Sequence, residues 1–205
     1  MIGQVPQLVA PHFSWDAANV QRATAPATAA DAKGLLKTAI RDPNPVVFLE
    51  HEWLYGRSGE VPVGEHLVPF GKARIAREGS DVTLLGVSRM VTTCEQAADQ
   101  LAQDGISAEV IDPRTLRPFD LRAVVESVRT TNRLVIVEEG WPRAGTGADI
   151  AAMVQRAAFD HLDAPIERVF GADVPMPYNK QLEQLAIPSP EKVSQAAKDL
   201  VNYRI

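Results

Sequence analysis

Residues 135–153 read VIVEEGWPRAGTGADIAAM: a short apolar run, a turn carrying glycines, then apolar residues at helical spacing. A strand that passes through glycines into a helix is the usual frame of a phosphate-binding turn. A dinucleotide turn requires Gly-x-Gly-x-x-Gly, but after Gly145 and Gly147 the third position is Ile150. A P-loop requires lysine and then serine or threonine after its last glycine, and Ala148 and Asp149 stand there instead. Asp149 would also set a carboxylate beside any bound phosphate, where its own charge already suits the helix dipole. The stretch therefore reads as strand, sharp turn and closely packed helix, with the glycines serving the turn.

Outward from this unit the same grammar repeats. DVTLLGVS (81–88) is expected as a strand, TTCEQAADQLAQDG (92–105) as a helix closed by Gly105, and SAEVIDP (107–113) as a strand. DLRAVVESVRTT (120–131) is a helix with Asp120 as its cap, and RLVIVEE (133–139) a strand. GADIAAMVQRAAFDHL (147–162) is a helix and IERVFG (166–171) a strand. SPEKVSQAAKDLVNY (189–203) is a helix capped by Ser189, with Pro190 at its first position and Glu191 in its first turn. Strands alternating with helices imply crossover connections and a mostly parallel sheet covered on both faces. Further upstream, TAADAKGLLKTAI (28–40) is a helix capped by Thr28, with Leu35, Leu36, Ala39 and Ile40 on one face, and PVVFLEH (45–51) a buried strand. The glycine- and proline-rich stretch from Glu52 to Ser80 reads as a connector.

With 205 residues, 45% of them hydrophobic, the chain is long enough to bury a core. A net charge of −5 argues against a phosphate-backbone partner, so no nucleic acid is expected, and no apolar run approaches a membrane span. The single cysteine, Cys94, sits among Val91, Ala97, Ala98 and Leu101 at helical spacing and reads as a packed core thiol in a reducing compartment. Residues 1–30 lack the pattern of a signal or transit peptide. The four histidines, His12, His51, His66 and His161, have no metal-ligand spacing, and nothing places a catalytic triad together. The acidic pairs Glu138–Glu139 and Glu50/Glu52 read as caps or ion-pair partners ahead of chemical groups.

Five strings are more specific than these patterns: ADAKGLLKTAIRDPNPVVFLEHEWLYG, VPFGKARIAREGSDVTLLG, VIDPRTLRPFD, VEEGWPRAGTGADI and GADVPMPYNKQLEQLAIPS. In this order they resemble the beta subunits of the pyruvate dehydrogenase decarboxylase component, in the transketolase superfamily, from about Pro26 to Ile205. GADVPMPYNKQLEQLAIP resembles the pyruvate branch more than the branched-chain 2-oxoacid branch. The resemblance implies a three-layer α/β/α domain like the transketolase C-terminal domain over 66–205. A linker over 53–65, a remnant of the pyrimidine-binding domain over 26–52 and an unmatched segment over 1–25 would precede it.

It also implies a thiamine-diphosphate enzyme built as an alpha–beta heterotetramer, acting in pyruvate oxidation in the bacterial cytoplasm or, in a eukaryote, the mitochondrial matrix. Magnesium would come by way of the alpha subunit, and the partners would be that subunit, a second beta subunit and the lipoyl acyltransferase core. The glutamate that activates the thiamine ring and the substrate-facing histidine have no match; His12 in APHFSW does not fit the flanking pattern. The chain is thus expected to lack catalytic and cofactor-binding residues of its own, as if shortened on the N-terminal side, and to be inactive in isolation. By the same resemblance a potassium ion would be held at Ala39, Ile40, Asp42 and Asn44. Its helix end leaves carbonyls without internal partners, and Pro43 and Pro45 stiffen the turn. Asp163 and the terminal carboxylate of Ile205 would contact the acyltransferase core. The alternatives are a non-catalytic interaction module of this family, the beta subunit of a related 2-oxoacid dehydrogenase, and a deoxyxylulose-phosphate synthase fragment, against which VPMPY and AIRDPNP speak.

Overall fold

The computed structural model describes residues 22–203. At its centre stand strands β4 (Val82–Gly86), β5 (Ala108–Asp112) and β7 (Leu134–Val137), buried along their whole length. With β3 (Arg74–Arg77) and β8 (Glu167–Val169) they form a sheet in the order β3-β5-β4-β7-β8. Every pair is parallel except β3 with β5.

The period-2 alternation of these strands divides the core. Val82, Leu84, Val135 and Val137 pack under α2 (Met90–Gln103) and α6 (Pro190–Val201). Leu85, Leu134 and Ile136 pack on the other face, under α3 (Leu121–Thr131) and α4 (Thr146–Ala158). These are the three expected layers. Each such side chain, wholly removed from water, contributes about 1.5–3 kcal/mol. Cys94 lies in the first cluster, fully buried, and burial pushes its thiol well up from the ordinary range. Thr83 is the polar exception inside β4; its hydroxyl is met by those of Ser127 and Thr131 at 2.5 and 2.7 Å.

The upstream layer holds β1 (Arg22–Thr24), α1 (Ala29–Arg41) and β2 (Val46–Phe48). β1 pairs parallel with β2 and, on its other side, antiparallel with β6 (Thr115–Arg117), a strand lent by the large unit. Thr28 caps α1, accepting from the Asp31 N–H at 3.1 Å while its hydroxyl donates to the Asp31 carboxylate at 2.6 Å. The expected apolar face of α1 is only partly covered. Leu35 is buried, but Leu36 and Ile40 are 45% and 76% exposed, because three strands of three residues are too small to bury the whole stripe. Likewise β2 is half-buried and not the buried strand expected, since it is the edge of its sheet.

Among the described residues β1, β3, β6, a single 3-10 turn over Glu52–Leu54 and the short helix α5 (Lys180–Ala186), capped by Asn179, lie outside the sequence reading. Among the described residues no helix is long and apolar enough to cross a membrane.

Candidate functional site at the carboxyl ends of the parallel strands

Helix α2 carries the chain from β4 to β5 over one face of the sheet, and α4 carries it from β7 to β8, in the opposite direction, over the other. The crossovers diverge beyond β4 and β7, the place where open α/β sheets gather their ligands. The side chains at this point come from the loop after β4, the loop after β7, and the turn after β2.

The glycine turn after β7 holds an anion, but one from the chain itself. The Glu138 carboxylate, 5% exposed, accepts the Gly147 N–H at 3.0 Å and pairs with Arg168 Nη2 at 2.7 Å. A Cβ on Gly147 would lie 2.4 Å from Glu138 Oε1, and one on Gly145 2.8 Å from both carboxylate oxygens. The glycines are there so that a carboxylate fits where a phosphate would otherwise approach. Nor do they supply the left-handed residue of the turn, which is Ala144 at φ 55°. Arg168 completes the closure by donating to the Pro142 carbonyl at 3.0 Å.

Next to it, Glu139 reaches the divergence point itself. It takes a 2.5 Å hydrogen bond from His51 Nε2 and pairs with Arg89, which in turn lies 4.0 Å from the centroid of the Trp53 ring. The Trp53 N–H donates to His51 Nδ1 at 3.2 Å, which leaves the ring proton on Nε2, toward Glu139. Burial acts to raise Glu139, but the His51 hydrogen bond and the Arg89 charge outweigh it and hold the acid below its usual range. The divergence point is therefore bolted to the upstream layer by an acid, a base and a cation on an indole face.

Beside this bolt a cavity of about 480 Å³ opens between α1, the turn after β2, residues 54–60 and α2. Asp31, 2% exposed, meets Arg114 at 2.8 Å at its floor; Arg74, 3.7 Å from Asp31, pairs with Asp112 at 3.1 Å. Burial pushes Asp112 up to about 6 against the opposing pull of Arg74. Arg114 sits at φ 58°, a left-handed backbone for a side-chain-bearing residue, with its N–H on Asp112 Oδ1 at 2.9 Å. Asp31 and Glu50 are the acids of the upstream layer that line this cavity. Asp31 is committed to Thr28 and Arg114, and Glu50 accepts the Tyr55 hydroxyl at 2.8 Å.

The residues expected at the potassium site close α1. Ala39, Ile40 and Arg41 would hand their carbonyls to residues 43, 44 and 45, but Pro43 and Pro45 have no N–H and that of Asn44 goes to Asp42 Oδ1 at 2.9 Å. The Asp42 N–H turns back to Thr38 and Ala39 at 3.0 and 3.3 Å. Hydrogen bonds from the backbone and side chain of Asn44, with Arg22 at 3.2 Å, hold the Asp42 acid below its usual range. Asp42 and Asn44 thus engage each other through their side chains, and the oxygens left for a cation are carbonyls. Asp163 lies far along the chain, after the turn that follows α4; its side chain, 58% exposed, pairs with Arg133 at 3.4 Å. Ile205 and His12 lie outside the described residues.

The structure brings together Glu139, His51, Arg89 and Trp53, of which sequence reasoning singled out only the acid, within an acidic pair, and met His51 as one of four scattered histidines. The His51–Trp53 pair, Arg89 and Glu139 stand 36 and more residues apart in the chain, so spacing gave no signal. Glu138 and Glu139 are ion-pair partners, as expected of them.

The family profile described as "Transketolase, C-terminal domain" matches residues 71–193. The chain belongs to the transketolase C-terminal-domain family. Among its relatives is the mitochondrial "Pyruvate dehydrogenase E1 component subunit beta" of Dictyostelium discoideum, 54% identical over 86% of this chain and 51% of the relative. The proteins of the same name from Rickettsia felis and Rhizobium meliloti are 53% and 55% identical, over 90% and 84% of this chain and 56% and 38% of theirs. The chain spans about half the length of the curated relatives it matches. A solved structure titled "Split gene transketolase, inactive beta4 tetramer" is 27% identical with a TM-score of 0.69, over 89% of this chain and 57% of that one. A transketolase mutant from Pichia stipitis, 14% identical with a TM-score of 0.60 over 89% of this chain and 25% of its own, shares the fold. Both Glu138 and Glu139 lie inside the matched transketolase C-terminal domain, whereas His51 and Trp53 lie upstream of it.

Proposed function

We propose that this chain is the carboxyl-terminal part of the beta subunit of a pyruvate dehydrogenase decarboxylase component, serving subunit assembly and docking to the lipoyl acyltransferase core. The observation that carries this reading is identity of 53–55% to beta subunits of that name over 84–90% of the chain. The assembled enzyme would decarboxylate pyruvate oxidatively and pass the acetyl group to lipoyl groups. Its partners would be an alpha subunit, which brings the magnesium, and a second beta subunit. Thiamine diphosphate would supply the carbanion chemistry in that assembly.

The described residues do not themselves fit that cofactor. The glycine turn is occupied by Glu138, and of the carboxylates lining the neighbouring cavity Asp31 is held by Arg114 and Glu50 by the Tyr55 hydroxyl. No step of the reaction is assigned to them. The same observation favours the second reading, a non-catalytic interaction module of this family. Mixing the chain with a family alpha subunit, thiamine diphosphate and pyruvate, and following dye reduction, separates the two. Turnover well above background refutes the non-catalytic reading; pull-down by the acyltransferase's subunit-binding domain without turnover supports it.

On this proposal residues 26–52 are the end of a pyrimidine-binding domain and 53–65 its linker to the domain over 66–205. Potassium would sit on carbonyls at Ala39, Ile40, Asp42 and Asn44, a hard cation on hard oxygens. A melting temperature higher in potassium than in equal sodium is the expected sign. Asp163 and Ile205 would face the acyltransferase core, and the acidic chain, at −5, suits a basic partner.

A further inference from the structure

The cavity between the upstream layer and α2 plays no part in the assembly reading, and its chemistry is specific. At about 480 Å³ it lies within the roughly 300–1,000 Å³ of small-molecule sites, which favour the seams between structural units. Its walls are Phe48, Leu54, Val91 and Ala27. The deepest charges are mutually satisfied, Asp31 by Arg114 and Arg74 by Asp112, and contribute no net charge to a guest. The remaining charges on its lining are three acids, Glu50, Glu60 and Glu95, against one cation, Arg57, whose guanidinium is engaged by the Thr92 hydroxyl. The mouth is therefore net negative and carries the Tyr55 ring, exposed and hydrogen-bonded to Glu50. That hydrogen bond, with the charges of Glu50 and Glu52, raises the Tyr55 phenol above its ordinary range.

We infer that this cavity is a binding site for a small organic cation, an ammonium-bearing molecule with an apolar or aromatic body. The body would lie against Phe48, Leu54 and Val91. The ammonium group would sit among Glu50, Glu60 and Glu95 near the Tyr55 ring, where acid and aromatic face both favour a cation. Nothing in the inference depends on the chain's place in a dehydrogenase.

Calorimetric titration of the full chain at low ionic strength with phenethylammonium, 2-phenylethanol and phenylacetate tests it, because the three probes share a body and differ in head group. The expected order is ammonium above alcohol above carboxylate. Combined Glu50→Gln and Glu95→Gln substitution, at exposed and half-buried positions respectively, should weaken the ammonium probe about fivefold and leave the alcohol unchanged. Ser58→Trp, at the exposed mouth, should abolish binding of both. Equal binding of ammonium and carboxylate, or absence of binding by all three probes to the unaltered chain, overturns the inference. An ammonium affinity indifferent to the loss of both acids does the same.

Discussion

Replacing Glu138 by alanine tests whether the glycine turn is built around an internal anion. The carboxylate is 5% exposed and has two partners, the Gly147 N–H at 3.0 Å and Arg168 at 2.7 Å. Breaking a buried pair by removing one member costs about 3–5 kcal/mol. The Arg168 side chain keeps 19% exposure and its bond to Pro142, so water relieves part of that, and the lower end applies. About 1 kcal/mol of the loss is the missing acceptor at the first turn of α4. Gly147→Ala should also destabilise, because its Cβ would meet Glu138 Oε1 at 2.4 Å and Ile136 Cγ2 at 3.1 Å. Against an intrinsic helical gain of about 1 kcal/mol, overpacking of about 1–3 kcal/mol should leave a net loss.

The two changes should not add. With the carboxylate gone, the closest clash is gone, and Gly147→Ala should cost little or nothing in the Glu138→Ala background, a coupling of about 1–2 kcal/mol. Urea unfolding midpoints at constant slope measure all four corners of the cycle. Formate should restore part of the stability of Glu138→Ala, relative to chloride, while leaving the unaltered chain unmoved, because a carboxylate-sized hole then binds it. A loss under about 1 kcal/mol for Glu138→Ala together with additive costs would refute the reasoning.

Glu139, held below its usual range in the folded state, contributes stability that is present above the ordinary carboxylate pKa and lost as pH falls through the depressed one. The advantage of the unaltered chain over Glu139→Gln should therefore shrink on acidification below about pH 4 in denaturation curves, and a gap that widens would count against the bolt. Asp112 carries the opposite sign. Raised to about 6 from 3.8, it stabilises below the unfolded value and loses that contribution as pH rises toward 6, so Asp112→Asn should gain on the unaltered chain between those pH values. Trp53→Ala should cost about 0.5–2 kcal/mol and speed hydrogen exchange in residues 51–60 more than in β4 or β7, since it removes the ring under Arg89. Cys94, buried with its thiol raised, should react with a thiol reagent only at the rate of unfolding, and rapid labelling of the native chain would contradict its place in the core.

What the sequence discloses depends on the range of the interaction. The parallel strands were legible because burial on both faces writes an unbroken apolar run, as in LVIV at 134–137, and the caps at Thr28, Asp120 and Ser189 were legible because they act within three residues. β3 escaped notice because RIAR, two apolar residues between two arginines, has no period-2 pattern and lies at an edge, where Arg74 is drawn in by Asp112 across 38 residues. β1 and β6 are three residues each and exist only as each other's partners, with β2. The exposed Leu36 and Ile40 mark the converse failure, since a helical stripe states what could be buried and not how much surface is there to bury it. The glycine turn lacks the third glycine and the lysine that phosphate-binding turns carry. The reason it is nonetheless glycine-rich, a glutamate nine positions upstream folded back onto the helix start, required the coordinates.

That glutamate also bears on where this domain can act. A helix that begins beyond the end of a parallel strand carries unpaired N–H groups and a positive end, and an anion there is favourable whatever its source. In a cofactor-binding sheet the anion is left to the ligand. Here Glu138 supplies it covalently, and Arg168, which would otherwise add to the attraction for phosphate, is neutralised in the same contact. Glu139, the next residue, then has no diffusible guest to meet and is free to hold Arg89 and His51, which fastens the upstream layer over the crevice. Two adjacent acids thus convert a ligand-binding edge into a structural joint. Among the described residues the carbonyl-rich end of α1, the exposed Asp163 and the acidic cavity beside α2 stay open. Restoring a phosphate-binding turn would take more than Glu138→Gly, because with the crevice still bolted by His51 and Trp53, inorganic phosphate should stabilise that variant but a dinucleotide should not.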